Sequence, residues 1–167
     1  LRIIRNYACI VNILMFMIKN FLNIIFFIYS ISCASQIILP IDFENNQITT
    51  DDFVNFDGGT GSVIGNPYNN VQNSSLTVGQ IIRDGGQIWA GSYLVLADYL
   101  DFSSNTHISM NIYSPISGLT VKFKLEGDSS AQTERDTSTT LSNDWETLTW
   151  SFAGEPSNTY NKLVLMF

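Results

Sequence analysis

Two short stretches constrain the fold more than anything else in the chain. From Leu119 to Glu126, apolar Leu119, Val121, Phe123 and Leu125 alternate with polar Thr120, Lys122, Lys124 and Glu126. From His107 to Ser114, Ile108, Met110 and Ile112 alternate with His107, Ser109, Asn111 and Tyr113. A period of two puts each set on one face of a half-buried strand. Between them Pro115-Ile116-Ser117-Gly118 is a turn. After Gln36 no stretch keeps a period near 3.6. Short apolar segments alternate instead with clusters of Gly, Pro, Asn and Ser, which predicts an all-β domain of the sandwich type.

The first 35 residues have a different composition. Ile10 to Ile31 is almost wholly apolar, with asparagines and the single charge Lys19. Met17-Ile18-Lys19-Asn20 is a short positive start, Phe21 to Ile31 an apolar core, and Ser32-Cys33-Ala34-Ser35 a small-residue cleavage region. This is the pattern of a secretory signal starting at Met17, with residues 1–16 as upstream sequence. The run is also long enough for a membrane anchor, but Lys19, the asparagines and the small-residue end favour a signal peptide. A lipoprotein signal through Cys33 fits less well, because Ser30 stands where an aliphatic residue is usual. The expected division is therefore a leader over 1–35 and a secreted or cell-surface β-domain over 36–167.

Cys9 and Cys33 are the two cysteines and both fall in the leader, so the domain has no disulfide framework and no thiolate metal site. Its about 130 residues suffice for a core without staples. Five basic residues, Arg83, Lys122, Lys124, Arg135 and Lys162, face fifteen acidic ones, a net charge of −10 after the leader. Such a surface repels nucleic acid and anionic lipid. It suits neutral polymers and divalent cations.

Along the chain, Ile37 to Glu44 reads as an edge strand because of Pro40. Phe53 to Phe56 is a short strand, Asp57 to Ser62 a glycine-rich loop and Ser75 to Arg83 a strand. Gly85-Gly86-Gln87-Ile88-Trp89-Ala90-Gly91 is a turn carrying a tryptophan, and Tyr93 to Leu96 a strand. Asp128 to Thr137 is polar and reads as a connection. Thr147 to Phe152 and Tyr160 to Phe167 are the last strands. Because the chain ends within an apolar run, at least one more strand is expected beyond it.

Asp42-Phe43-Glu44, Asn66-Pro67, the Gly85–Gly91 turn, Asp101-Phe102-Ser103, Tyr113-Ser114-Pro115, Trp145-Glu146-Thr147-Leu148-Thr149 and Phe152-Ala153-Gly154 occur in this order. As a set, spanning Ile38 to Phe167, they resemble carbohydrate-binding modules of the galactose-binding-like jelly-roll type found in secreted Bacteroidetes-type polysaccharide-degrading proteins. The resemblance implies a noncatalytic module that binds a polysaccharide and holds catalytic or surface domains of the same longer chain near it. It also implies a structural Ca2+, with Glu44 as the matching ligand and a second, later aspartate absent from this sequence.

Several residues carry the functional question. Trp89 is either a loop tryptophan packed over the end of the sandwich, the simpler expectation, or a flat platform for a sugar ring. His107, Asn111 and Tyr113 share a polar strand face that suits sugar hydroxyls or is simply solvated. Lys122 joins that set if the strands on either side of the Pro115–Gly118 turn pair. Otherwise Lys122, Lys124 and Glu126 form an exposed row that guards an edge. Arg83 and Asp84 are expected as a buried pair fixing the glycine turn. His107 is the single histidine, so a histidine pair or triad for metal or nucleophilic work is excluded. No nucleophile elbow or phosphate loop occurs. A glycoside hydrolase or polysaccharide lyase would need carboxylates such as Glu126 and Asp144. The competing noncatalytic reading is a structural or protein-interaction module of a large surface protein.

Overall fold

The alternation of Val121, Phe123 and Leu125 with lysines produces the strand on which the domain is built. In the computed structural model, which describes residues 36–167, Val121 is 5% exposed and Phe123 and Leu125 are fully buried. The expected leader over residues 1–35 lies outside the described residues. Among the described residues nine strands form: β1 (Val54–Phe56), β2 (Gly59–Gly65), β3 (Thr77–Arg83), β4 (Gly91–Val95), β5 (His107–Ser114), β6 (Thr120–Gly127), β7 (Gln132–Ser138), β8 (Asp144–Ser151) and β9 (Tyr160–Met166). All pairings are antiparallel. One sheet has the order β1-β4-β9-β6-β7, and β2-β3 and β5-β8 form two ribbons. The domain is thus an all-β sandwich.

The core joins the layers. Leu94, Phe123, Leu125 and Leu163 from the five-stranded sheet meet Leu148 and Trp150 from β8. Phe123 lies 5.2 Å from Trp150 and 6.1 Å from Phe152 between ring centroids. Trp150 is 1% exposed, and its indole N–H donates across the core to the Val121 carbonyl at 3.2 Å. Burying an aromatic with its one polar group satisfied combines a large apolar contribution with no desolvation penalty.

Four expectations need correction. Ile37 to Glu44 is not a strand: the Gln47 side chain takes the place of a strand partner, accepting from the Asp42 amide and donating to the Ile38 and Pro40 carbonyls. Asp57 to Ser62 is not one loop. Asp57 and Gly58, both at positive φ, make a tight turn, and β2 starts at Gly59. The alternating glycines that suggested a loop permit a close approach instead. A Cβ on Gly59 would stand 2.2 Å from the Gly91 carbonyl oxygen, and one on Gly61 2.3 Å from the Phe53 ring. Gly59→Ala is expected to destabilise the fold by about 2 kcal/mol or more. Gly65→Ala, with nothing within 4 Å of its Cβ position, should be near neutral. Equal urea midpoints for the two variants would contradict this account.

The polar stretch after Asp128 contains β7, an edge strand paired with β6. It has no apolar side chain to reveal it. Its inward side is held by polar contacts: Arg135 donates to the Ser151 carbonyl at 3.0 Å and lies 5.4 Å from the Phe152 ring centroid. Arg83 and Asp84 are exposed rather than a buried pair. Arg135 instead pairs with Glu155, at 2.9 Å, with the Glu155 side chain 18% exposed.

Glu155 accepts from Thr133 at 2.7 Å, from Tyr160 at 2.7 Å and from Arg135. These bonds, the one from Thr133 foremost, hold its carboxyl below the usual glutamate range. A depressed pKa adds stability that is complete above the unfolded-state value and is lost as pH falls through the folded one. Glu155→Gln should cost about 1–2 kcal/mol near neutral pH, with the deficit shrinking below about pH 4. Parallel stability–pH curves for the two proteins would contradict the assignment.

Candidate functional site

The register of the five-stranded sheet builds a site on its outward face. One rank across the sheet reads Phe56, Gly91, Met166, Lys122, Asp136; the next reads Val54, Tyr93, Val164, Lys124, Glu134. The β1-β4-β9 half is therefore apolar and aromatic, and the β6-β7 half is charged. Val164 and Met166 face outward yet are only 3% and 8% exposed; Lys124 and Lys122 stand beside them in the register, and lysine stems can cover apolar surface while their heads stay in water. Val164 and Met166 floor a cleft of about 760 Å³ lined by Phe56, Trp89, Tyr93, Lys122, Lys124 and Glu134, among others.

Trp89 stands at the cleft and is 52% exposed, so the packed reading of this residue is overturned. Its pose is fixed from the turn between β1 and β2. The indole N–H donates to Asp57 Oδ2 at 2.8 Å, and the Asp57 carbonyl accepts from the Gln87 amide at 2.9 Å. The two turns touch through glycine backbone, since a Cβ on Gly86 would stand 1.9 Å from the Asp57 oxygen. Phe56 and Tyr93 lie beside each other with centroids 6.4 Å apart, and Lys162 Nζ sits 6.0 Å from the Tyr93 centroid. The aromatic half is thus preorganised. Asp57→Ala removes the acceptor for the indole N–H, whereas Asp57→Asn keeps an amide oxygen there and tolerates the positive φ. The alanine variant should therefore raise quenching of Trp89 fluorescence by the neutral quencher acrylamide and the asparagine variant should not; equal quenching in all three proteins would refute the role of Asp57.

The charged half is internally paired. Lys122 contacts Glu134 at 2.7 Å and Asp136 at 3.1 Å, and Lys124 contacts Glu126 at 2.7 Å. Hydrogen bonds to Glu134 and Asp136 hold the Lys122 ammonium pKa above its ordinary value.

The other expected site residues lie elsewhere. His107, Asn111 and Tyr113 share the outward face of β5, but β5 pairs with β8 and not with β6. Tyr113 and Lys122 therefore do not share a groove. The Pro115–Gly118 connection passes between layers, with the Gly118 amide donating to Thr139. Asn111 accepts from the Thr147 hydroxyl at 2.6 Å. Tyr113 stacks on Tyr68 at 3.8 Å and 4°, and the Trp145 indole N–H donates to the Tyr68 carbonyl at 2.8 Å. Burial, and then Tyr68, push the Tyr113 hydroxyl pKa up. This aromatic group anchors the loop after Pro67. His107 lines a separate cleft of about 280 Å³ with Ile38, Leu39 and Tyr99.

Glu44 caps backbone: its Oε1 accepts from the Leu76 and Thr77 amides at 2.6 and 3.1 Å. No group of three or more His, Cys, Asp or Glu that could hold a metal ion occurs among the described residues. Calcium takes 6–8 oxygen ligands, so the side chains around Glu44 do not by themselves make the implied Ca2+ site. Glu126 and Asp144, the pair of carboxylates taken as an example for a hydrolase, sit on different sheets.

Of the cleft residues, sequence reading singled out Trp89 and the Lys122–Glu126 row. Phe56, Tyr93, Val164 and Met166 were hidden in runs that read as core. The available signal was the spacing of two between Val164 and Met166 in a strand apolar on both faces. No protein family matches the chain, and no curated protein matches it.

Proposed function

We propose that the protein is a noncatalytic polysaccharide-binding module whose site is the cleft on the outward face of the five-stranded sheet. The observation that carries this reading is the division of that face. A sugar ring presents apolar C–H faces and a rim of hydroxyls. Trp89, Tyr93 and Phe56 offer flat apolar area, and Lys122, Lys124, Glu126 and Glu134 offer donors and acceptors beside it. Site residues Trp89 and Lys122 belong to this cleft; His107, Asn111 and Tyr113 are left out of it. Secretion, and service to other domains of a longer glycan-degrading or surface protein, fit such a module.

Electrophoresis of the protein through gels containing β-glucan, mannan or alginate tests the reading. Retardation in at least one gel, lost in Trp89→Ala, is expected. Migration unaffected by every glycan would reject it. The second reading, docking of another protein domain, draws on the apolar floor and on Ile88, which is 83% exposed beside the cleft. It would be favoured by that negative result.

A further inference from the structure

Resting on the polysaccharide reading, we infer that the cleft selects neutral chains and discriminates against uronates, with Lys122 and Lys124 acting as hydrogen-bond donors whose charge is already compensated. Three of the domain's five basic residues, Lys122, Lys124 and Lys162, lie on this one sheet face, which at first suggests an anion site. Their surroundings remove that option. Lys122 is held by Glu134 and Asp136, and Lys124 by Glu126. Lys162 stands opposite Glu126 in the register, over the Tyr93 ring.

The remaining acid of the cleft, Asp57, accepts from Trp89 and carries no cation partner among the salt bridges of the described residues. Three lysines thus face four carboxylates on the sheet face and its rim, within a domain of net charge −10. A carboxylated sugar would have to displace Glu134 or Asp136 from Lys122 or accept like-charge contact with them, and like charges across a contact are costly. A neutral hydroxyl can accept a hydrogen bond from an ammonium that keeps its carboxylate partners, since Lys has three N–H donors. Glu134 and Asp136 are about half exposed, so they shape the field without being part of the core.

Calorimetric titration with two matched pairs of polymers tests this: β-1,4-mannan against polymannuronate, and hydroxyethyl cellulose against carboxymethyl cellulose, at low and high salt. The protein should bind the neutral member of at least one pair about tenfold or more tightly than the charged member, with the gap narrowing as salt screens the repulsion. Glu134→Gln/Asp136→Asn should raise the charged-to-neutral affinity ratio about fivefold, by leaving Lys122 uncompensated. Equal or tighter binding of the charged members, or an unchanged ratio in the double variant, overturns the inference while leaving polysaccharide binding intact. No binding to any polymer overturns both.

Discussion

Replacing Trp89 by alanine should weaken binding of a recognised polysaccharide by about 30-fold or more, the loss of a central aromatic anchor worth about 2 kcal/mol. The same change should cost the fold less than about 1 kcal/mol, because the side chain is 52% exposed. Its one polar contact is to Asp57 at the surface. This separation of binding from stability is the signature of a platform. Trp89→Phe keeps a flat ring and loses the indole donor, so it should fall between the two. Titration of each variant, with urea unfolding beside it, measures both quantities. Loss of stability in Trp89→Ala with affinity unchanged would make this tryptophan a structural residue.

Trp150 should behave in the opposite way. It is 1% exposed, packed against Phe123, and bonded to the Val121 carbonyl. Trp150→Ala leaves a large cavity and a carbonyl without its indole donor, at a cost of about 3–5 kcal/mol. Against a typical margin of about 5–15 kcal/mol, that is a large share of the total stability, and at the low end of the range it is all of it. Trp150→Phe retains much of the packing and should cost about 1–3 kcal/mol, through the smaller ring and the lost indole hydrogen bond. Urea midpoints close to the parent value for both variants would show that the two layers are not joined through this residue.

The contrast between these two tryptophans shows what was legible in the chain. Trp150 lies in the alternating stretch Leu148, Trp150, Phe152, and alternation of that kind reports an inward face directly. The same rule located β5 and β6 almost to the residue. It could not find β7, whose inward side is Thr133, Arg135 and Thr137 and whose place depends on contacts to β8 and Glu155. Nor could it show that Gly59 and Gly61 belong to a strand, because their role is a close approach to residues distant in sequence. The cleft was the least legible feature. Its floor comes from a strand apolar on both faces, and its two halves come from strands far apart in the chain that register alone brings together. Trp89 could be singled out as unusual, but whether it faced solvent depended on the turn carrying Asp57.

The central claim, that the outward face of the five-stranded sheet is a glycan site, is tested most directly by following the indole N–H signals of 15N-labelled protein while β-glucan or mannan is added. Trp145 and Trp150 donate to backbone carbonyls and are 9% and 1% exposed, whereas Trp89 is at the cleft. The account predicts that the Trp89 signal shifts saturably and the other two hold still. A saturable change in the Trp145 signal with Trp89 unmoved would contradict it and place the site on the Tyr68–Tyr113 side of the sandwich.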